Sequence, residues 1–334
     1  MKAWVVPKYK QPLELTDVPE PSVGDHDVLV EIHATAVNLL DVKVKAGEFK
    51  LILPYKTPFV LGHDLAGTVT AIGSAVRRFA VGDEVYGRPR DGRVGTFAQR
   101  LAVHEDDLAP RPGTISMVDA GSVPLVALTA WQALVERAHV QPGQKVLIHA
   151  GSGGVGTYAI QLAKHLGATV ATTTGTTNMR WVKDLGADVV IDYKTEAFDE
   201  QLSGYDVVLD SQGGDTLAHS LTVLKPGGLA IGIAGPPDPA FAAQLGKRFP
   251  LAPVMALLSL KTRRAAKRLG VRYSFLFMRA DGAALGQIAA LIEAGTLRPV
   301  IDRTFPFEQT PDALRYVKAG RSKGKVLITI EETP

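Results

Sequence analysis

The feature that most constrains this chain is a glycine-rich run that joins a strand-like segment to a helical one. Residues 145–150 have the pattern of a buried strand, and residues 157–166 have that of a helix. Gly151, Gly153 and Gly156 lie between them, and in this context their spacing predicts a dinucleotide-binding turn. The first glycine permits the turn, the second lets a pyrophosphate approach the backbone, and the third lets the helix pack on the strand. An ordinary strand-to-helix turn is the alternative interpretation, because glycine is frequent in turns.

The segments that follow this run alternate between strand-like and helical patterns. Two of the helical segments end before a glycine, Gly167 and Gly186, which is a common helix stop. Strands rich in Val and Ile between helices predict a parallel sheet covered on both faces. The predicted fold class is therefore α/β, with a doubly wound parallel sheet. Its further strands are predicted at residues 168–174, 189–192, 205–210, 228–233 and 271–278.

Composition narrows the class of protein. A chain of 334 residues, 46% of them hydrophobic, is expected to form two globular domains. The formal net charge of +3 gives no indication of a nucleic-acid partner. The absence of cysteine excludes disulfides, thiolate nucleophiles and cysteine-ligated metal sites. The apolar start of the chain is too short for a signal peptide, and the longest apolar stretch, residues 249–260, is shorter than the ~20 residues of a membrane span. We therefore expect a cytoplasmic protein.

The N-terminal third of the sequence has a different pattern from the middle. Short strand-like segments are separated there by glycines such as Gly47, Gly62 and Gly73. Short strands with frequent turn signals predict a small β-barrel. We expect the last strand-like segment, residues 325–330, to return to this barrel, so that the nucleotide-binding domain is inserted within it.

Five motifs are spread over the chain: NLLD at 38–41, GHDLAG at 62–67, VGDEVY at 81–86, LTAWQAL at 128–134 and GSGGVG at 151–156. As a set they resemble the motifs of the medium-chain dehydrogenase/reductase superfamily, and within it those of the zinc-free quinone oxidoreductase and enone reductase branch. The resemblance implies a GroES-like β-barrel catalytic domain, residues 1–124 and 296–334, and a Rossmann NADP-binding domain, residues 125–295.

The resemblance also bears on zinc. His63 lies where zinc-dependent members of the superfamily place a ligand, but the position that holds a cysteine in those enzymes is Asn38 here. Catalytic zinc needs three protein ligands, and asparagine is a poor one. A short loop, residues 88–93, stands where those enzymes carry structural zinc. We therefore expect no zinc, with His63 and Asp64 making structural hydrogen bonds in the barrel.

The end of the second predicted strand of the parallel sheet indicates which nicotinamide cofactor binds. NAD-binding sheets usually end this strand in Asp or Glu, which binds the ribose 2′-hydroxyl, whereas here no carboxylate precedes Asp184. Hydroxyl groups, a helix N-terminus and Arg180 favour a 2′-phosphate, so we expect NADPH. Related reductases hold this phosphate with a tyrosine that matches Tyr193. The residues expected to bind the cofactor are Thr129, Gly151, Ser152, Gly153, Gly154, Val155, Gly156, Thr174, Thr176, Arg180, Tyr193, Ser211 and Lys325.

The residues assigned to catalysis are Asn38, Asp41 and Lys43, because the resemblance places the substrate of zinc-free reductases beside them. Asn38 is expected to donate a hydrogen bond to the substrate carbonyl or to the nicotinamide amide. Lys43 is expected to stabilise a developing enolate, as preorganised charge does in many enzymes. The alternatives are that Asn38 caps a turn and that Lys43 is a solvated surface lysine.

Two segments bear on larger partners. A basic cluster between Lys261 and Arg268 follows the apolar residues 249–260. Such a pattern is compatible with an element on an acidic membrane surface, but a solvated helix face is its more common origin, so we expect no membrane contact. The apolar run 271–278 predicts a homodimer, since an unpaired sheet edge invites pairing with a second copy.

The expected function is an NADPH-dependent, metal-independent reductase of a small-molecule quinone or α,β-unsaturated carbonyl. Without a metal, an alcohol has no strong Lewis acid to assist the loss of its proton, whereas a conjugated acceptor needs only polarisation of its carbonyl. A weakly catalytic NADPH-binding redox sensor or partner-binding protein is the alternative. An alcohol dehydrogenase is disfavoured.

Overall fold

The computed structural model describes residues 1–50, 53–246 and 248–330, with the backbone alone at 248–250. Its strands are β1 (Lys2–Val6), β2 (Glu14–Asp17), β3 (Asp27–Val37), β4 (Phe59–Val60), β5 (Leu65–Ile72), β6 (Glu84–Gly87), β7 (Arg100–His104), β8 (Leu108–Pro110), β9 (Lys145–Ile148), β10 (Thr169–Thr174), β11 (Val189–Asp192), β12 (Tyr205–Asp210), β13 (Leu224–Gly232), β14 (Arg272–Phe275), β15 (Ile301–Pro306) and β16 (Lys325–Thr329).

Its α-helices are α1 (Leu39–Ala46), α2 (Met117–Ala120), α3 (Pro124–Trp131), α4 (Gly154–His165), α5 (Met179–Asp184), α6 (Phe198–Gln201), α7 (Gly214–Ser220), α8 (Pro239–Gln244), α9 (Arg248–Leu258), α10 (Leu260–Arg268), α11 (Gly282–Glu293) and α12 (Thr310–Lys318). A π-helical segment, Gln132–Arg137, follows α3. The chain divides into a terminal unit, residues 1–128 with residues from 279 onward, and a central unit, residues 129–278.

The central unit is built on a parallel sheet. Within the described residues its six strands have the order β11-β10-β9-β12-β13-β14. Val146, Leu147 and Ile148 of β9 are fully buried, because a sheet with helices on both faces exposes neither side of a middle strand. This is the order of a doubly wound dinucleotide-binding sheet, in which ligands bind where the strand order reverses, here between β9 and β12. The predicted α/β fold class is confirmed.

The terminal unit contains two sheets in its described residues. The larger one has the order β15-β16-β3-β5-β6-β8, with β7 also paired to β3, and the smaller one has the order β2-β1-β4. Strand β3 alternates between faces, so that Val28, Val30 and Ile32 are buried. The last strand, β16, pairs antiparallel with β3, with Val326 opposite Val37. The end of the chain therefore returns to the sheet formed by its beginning, as the sequence predicted.

The strand expected at residues 271–278 is shorter in the structure. Strand β14 covers Arg272–Phe275 and pairs with β13 at the end of the sheet. The next three residues leave the ladder after Leu276 N donates to Gly232 O, and their side chains are buried. The sheet edge that motivated a homodimer is thus half as long as predicted, and the homodimer stays a prediction.

The bounds of the two units also differ from the predicted domains. The divisions fall at 128/129 and 278/279, not at 124/125 and 295/296. The physical reason at the second division is that α11 packs within the terminal unit. Tyr86 Oη on β6 donates a hydrogen bond of 2.7 Å to Leu285 O on α11.

Close packing of α11 against β8 generates a prediction with a matched control on the same helix. A Cβ at Gly282 would lie 2.2 Å from Leu108 O and 2.6 Å from Asp106 O, whereas a Cβ at Gly286 would meet nothing within 4 Å. We expect Gly282→Ala to lower the free energy of unfolding by about 1–3 kcal/mol through overpacking. Gly286→Ala should raise it by about 0.5–1 kcal/mol, because alanine is the better helix former. Denaturant titration measures both, and similar effects of the two substitutions would contradict the packing of α11.

Candidate active site

The glycine-rich run lies at the carboxyl edge of the central sheet, between β9 and α4. A Cβ at Gly151 would lie 2.2 Å from Thr172 Oγ1, and a Cβ at Gly156 would lie 2.3 Å from Ala150 O. Both glycines are therefore required by contacts inside the protein. A Cβ at Gly153 would meet only Ala150 O, at 3.3 Å. Its lack of a side chain leaves the backbone approachable at the N-terminus of α4, where an anion is favoured. This arrangement fits the pyrophosphate of a dinucleotide.

The turn is held in place by the end of β10. Ala150 has a left-handed backbone with φ of 54°, which is unfavourable for a residue other than glycine. Its N–H donates a hydrogen bond of 3.2 Å to Thr173 Oγ1, and Gly151 N donates to Thr173 O at 2.9 Å. Thr173 thus fixes both sides of the strained residue, and the strain marks a position that the surrounding structure determines.

A buried histidine completes this support. His149 is 2% exposed, with its ring nitrogens 3.0 Å from Thr173 Oγ1 and 2.9 Å from Ser220 Oγ. Since Ser220 Oγ donates to Thr216 O, we assign the Nε2 proton to the bond with Ser220 and the Thr173 hydroxyl proton to the bond with Nδ1. Burial lowers the pKa of His149 to about 4, so the ring is neutral at neutral pH.

The neighbouring strand β12 ends in a second buried polar group that the sequence did not single out. Asp210 Oδ1 accepts hydrogen bonds from Gln212 N and Gly213 N, whereas Oδ2 has no partner among the described residues. Burial raises the pKa of this carboxyl. Ser211, one of the predicted cofactor residues, follows directly and donates a long bond of 3.4 Å to His149 O. Asp210 and Ser211 therefore lie at the reversal of strand order, beside β9.

The end of β10 was predicted to have no carboxylate nearby, and the structure differs in this respect. Thr174 lies opposite Asp192 in the parallel register of β10 and β11, so a carboxylate is present at this edge after all. Asp192 Oδ2 accepts the hydroxyl proton of Thr176 at 2.5 Å, and this bond keeps the pKa of Asp192 below its usual range. The Thr176 hydroxyl, expected to face a phosphate, donates to Asp192 instead. The Thr174 hydroxyl is buried and has no partner within the described residues.

Three side chains of positive or hydroxyl character lie near this edge. A Cβ built at Gly175 would lie 3.5 Å from Lys194 Cε and 3.7 Å from Tyr193 Oη, so both side chains lie beside the backbone that follows β10. Tyr193 is 63% exposed, and Arg180 is exposed on the first turn of α5. Lys194 follows β11, as Tyr193 does, but the sequence pattern did not single it out. The register of β10 and β11 could have revealed it.

A second polar cluster lies in the terminal unit, at the start of α1. Asn38 is the N-cap of this helix, and its N–H donates to Asp41 Oδ2 at 2.7 Å. Asp41 Oδ1 lies 2.6 Å from His63 Nδ1, and both side chains are fully buried. Asp41, predicted to be catalytic, therefore orients the histidine ring and closes the first turn of α1. Asn38 caps the first turn of α1, which is the alternative interpretation that the sequence left open.

The Asn38 side chain is also engaged within the terminal unit. Its Nδ2 donates to Asp64 Oδ2 at 2.8 Å, and its Oδ1 accepts from Lys325 Nζ at 2.5 Å. Lys325 Nζ lies 3.1 Å from Asp64 Oδ2 and is 3% exposed. Asp64 Oδ1 accepts from Leu125 N at 2.7 Å. Lys325, predicted to bind the cofactor, forms a buried ion pair with Asp64.

The remaining predicted residues are described by their burial and by the element on which they lie. Lys43 is half-buried on α1, and no ion pair joins it to a described residue. Thr129 is buried on α3. Ser152, Gly154 and Val155 are half-buried in the glycine-rich turn or the first turn of α4.

Two known protein families match segments of this chain. Residues 24–113 match the family described as alcohol dehydrogenase GroES-like domain, and residues 185–328 match the family described as zinc-binding dehydrogenase. The chain belongs to the medium-chain dehydrogenase/reductase superfamily.

Individual relatives are similar over nearly the whole chain. The human protein NAD(P)H oxidoreductase RTN4IP1, mitochondrial, is 33% identical over 99% of this chain and 89% of its own length. The tomato (Solanum lycopersicum) 2-methylene-furan-3-one reductase is 35% identical over 98% of this chain and 79% of its own length. The chloroplastic NADPH-dependent alkenal/one oxidoreductase of Arabidopsis thaliana is 33% identical over 98% of this chain and 79% of its own length.

Solved structures show the same fold. The quinone oxidoreductase from Coxiella burnetii superimposes with a TM-score of 0.85 at 29% identity and covers 99% of both chains. An alcohol dehydrogenase superfamily protein from Novosphingobium aromaticivorans gives a TM-score of 0.84 at 36% identity, with 99% of this chain and 100% of that chain covered. The GroES-like unit and the Rossmann-type sheet predicted from the sequence are thereby confirmed.

The zinc in the family description does not fit the donor atoms of this cluster. Among the described residues, no group of three His, Cys, Asp or Glu is placed to hold a metal ion, and catalytic zinc requires three protein ligands. The oxygens of Asp41 and Asp64 accept hydrogen bonds, as described above, and only His63 Nε2 has no partner within the described part of the chain. A cation is already present in the form of the Lys325 ammonium. The Asp64 and Lys325 side chains therefore form a hydrogen-bonded ion pair.

The neutral state of His149 gives a prediction about pH. A pKa that falls from 6.5 to about 4 on folding contributes stability that is fully present above pH 6.5 and is lost as the pH falls towards 4. The loss should be about 3 kcal/mol at 1.36 kcal/mol per pKa unit. We expect His149→Gln, which has no group titrating in this range, to show a flatter dependence of the free energy of unfolding on pH. His165→Gln, at an exposed histidine at the end of α4, is the control and should follow the parent. Parallel curves for the parent and His149→Gln would contradict the assignment.

Proposed function

We propose that this protein is an NADPH-dependent reductase that transfers a hydride to a quinone or an α,β-unsaturated carbonyl without a metal. The observation that carries the proposal is the glycine-rich turn at the reversal of strand order, where Gly153 leaves the N-terminus of α4 open to a pyrophosphate. Relatives named as quinone and alkenal/one oxidoreductases support the reaction class. The ion-paired cluster around Asp64 supports a metal-free reaction, because its donor atoms are already hydrogen-bonded.

The preference for NADPH rests on the charges at the end of β10. Arg180, Tyr193 and Lys194 supply two cations and a hydroxyl that suit a 2′-phosphate. Asp192 opposes an anion, but its carboxylate is bound by the Thr176 hydroxyl and by Lys194 N, which spreads its charge over two donors. The net environment favours the phosphate over the bare ribose hydroxyl.

We expect NADPH to bind at least tenfold more tightly than NADH, which corresponds to about 1.4 kcal/mol. Arg180→Ala, Tyr193→Phe and Lys194→Ala should each weaken NADPH binding and leave NADH binding nearly unchanged, because only NADPH carries the 2′-phosphate. Lys145→Ala is the matched control, since Lys145 begins β9 at the opposite edge of the sheet. Fluorescence titration of each variant with both cofactors measures the ratio. Equal affinities for the two cofactors in the parent protein would refute the preference.

The substrate needs a group that stabilises negative charge on its oxygen as the hydride arrives. When bound, the reduced nicotinamide supplies the hydride, and the acceptor becomes an enolate or a hydroquinone anion. Asn38 has both polar ends committed to Asp64 and Lys325, and Asp41 carries the wrong charge. Of the three residues assigned to catalysis, Lys43 alone combines a positive charge with a side chain that is not engaged by a described residue. We assign charge stabilisation to Lys43, and water supplies the proton.

The reaction is tested by NADPH oxidation with a panel of a quinone, an alkenal and a ring enone. We expect turnover of at least one acceptor, unchanged by EDTA and not increased by zinc. Lys43→Ala should lower kcat and kcat/KM together by about 10²-fold, the sign of an interaction made mainly in the transition state. Lys45→Ala, two residues on along the same helix, is the control and should keep the parent rate.

Three outcomes separate the alternatives. Tight NADPH binding without turnover of any acceptor would favour the redox sensor or partner-binding protein. Activity that EDTA removes and zinc restores would refute the metal-free reaction and would favour an alcohol dehydrogenase. A parent-like rate for Lys43→Ala would leave the reaction in place and refute the role of that lysine alone.

A further inference from the structure

Helix α9 presents an exposed apolar face. The side chains of Val254, Leu257 and Leu258 are 52%, 72% and 58% exposed. Their spacing of three and four residues places them on one side of the helix, while Met255, at the border of this side, is 2% exposed. Single exposed apolar residues are common on protein surfaces, whereas a contiguous exposed apolar patch is the kind of surface at which proteins bind a partner or a membrane. We call these three residues the α9 face.

Helix α10, which follows after Ser259, is strongly basic. Lys261, Arg263, Arg264, Lys267 and Arg268 are all exposed, and no salt bridge joins any of them to a described acidic residue. The inward side of the helix carries Ala266, which is 2% exposed. The five basic side chains therefore form a positive face directed to solvent. We call them the α10 face.

The two faces belong to one continuous element. Ser259 is fully buried, its Oγ donates to Met255 O at 2.7 Å, and its carbonyl accepts from Arg263 N at 2.9 Å. These bonds tie the end of α9 to the start of α10. Nearby residues of the sequence do not neutralise the positive charge of the α10 face. Residues 239–280 contain Lys or Arg nine times and contain no Asp or Glu.

We propose that the α9 and α10 faces dock this protein onto an anionic lipid bilayer surface. Exposed leucines beside a row of Lys and Arg are the pattern of an interfacial helix, whose apolar side chains enter the headgroup region while the basic ones meet lipid phosphates. No helix in the described part of the chain is long and apolar enough to cross a membrane. The sequence pattern alone favoured a solvated face, and the exposure of the three α9 side chains is the observation that reverses this preference.

A second copy of the chain fits the faces less well than a membrane does. An interface formed by the same patch on two copies would bring two α10 faces together, and like charges in contact oppose association. An anionic bilayer offers the complementary charge and an apolar layer at once. The proposal is independent of the reaction proposed above, because it rests on exposure and charge in α9 and α10 only.

Flotation with lipid vesicles tests the proposal on the full chain. We expect the protein to float with vesicles of equal parts phosphatidylcholine and phosphatidylglycerol, to remain unbound with phosphatidylcholine alone, and to be released by salt near 0.5 M, as expected for screened charges (about a 4 Å Debye length). The double variant Leu257→Ser/Leu258→Ser and the triple variant Lys261→Glu/Arg264→Glu/Lys267→Glu should each lower the partition coefficient at least tenfold.

Matched controls lie at exposed residues of the terminal unit. Val81→Ser removes a similarly exposed apolar side chain, and Lys8→Glu/Arg321→Glu/Lys323→Glu makes the same charge change as the triple variant. Both controls should bind as the parent does. Equal binding to the two vesicle types, or parent-like binding by both α9 and α10 variants, would overturn the proposal. Sedimentation that shows a dimer dissociated by Leu257→Ser/Leu258→Ser would overturn it too, because the face would then be an interface between copies.

Discussion

The terminal unit depends on one buried carboxylate, that of Asp64. It accepts hydrogen bonds from Lys325 on β16, from Asn38 at the start of α1 and from Leu125 N on α3, so segments separated by up to 287 residues meet at one group. A buried ion pair stabilises only when its remaining hydrogen-bonding capacity is used, since both ions have lost their hydration. Here both carboxylate oxygens and the ammonium are engaged. Removal of one partner leaves an isolated buried charge, a cost of about 3–5 kcal/mol.

The nucleotide-binding turn depends on a support of a different kind, which is neutral. The chain of bonds from Ala150 N through Thr173 and His149 to Ser220 uses donors and acceptors alternately, and it connects β9, β10 and α7. A protonated His149 would carry two donors and could not accept the Thr173 hydroxyl proton. The burial that keeps the ring neutral therefore also keeps the strained backbone of Ala150 in place. A protonated ring would also place a positive charge in the sheet, and both side chains that hold His149, Thr173 and Ser220, are neutral hydroxyls.

The sequence predicted what depends on local pattern and missed what depends on pairing between distant segments. Glycine spacing and runs of Val and Ile located β9 to β12 within one or two residues. Strand β2, Glu14–Asp17, was missed because its side chains are all exposed and show no alternation. The length of strand β14 was overestimated because Leu276, Phe277 and Met278 are apolar residues that are buried without belonging to the strand. The ion pair of Lys325 with Asp64 was missed because nothing near Lys325 in sequence indicates that Asp64 is its partner.

Asp192 illustrates why the cofactor site was harder to predict than the fold. The residues that follow β10 in the chain contain no carboxylate before Asp184. The parallel register, however, brings the end of β11 to the same edge, with Thr174 opposite Asp192. The same register brings Tyr193 and Lys194 there, so the strand that contributes the opposing charge also contributes a cation and a hydroxyl. The carboxylate, the hydroxyl and the cation at this edge therefore come from the consecutive residues 192–194, at the end of β11.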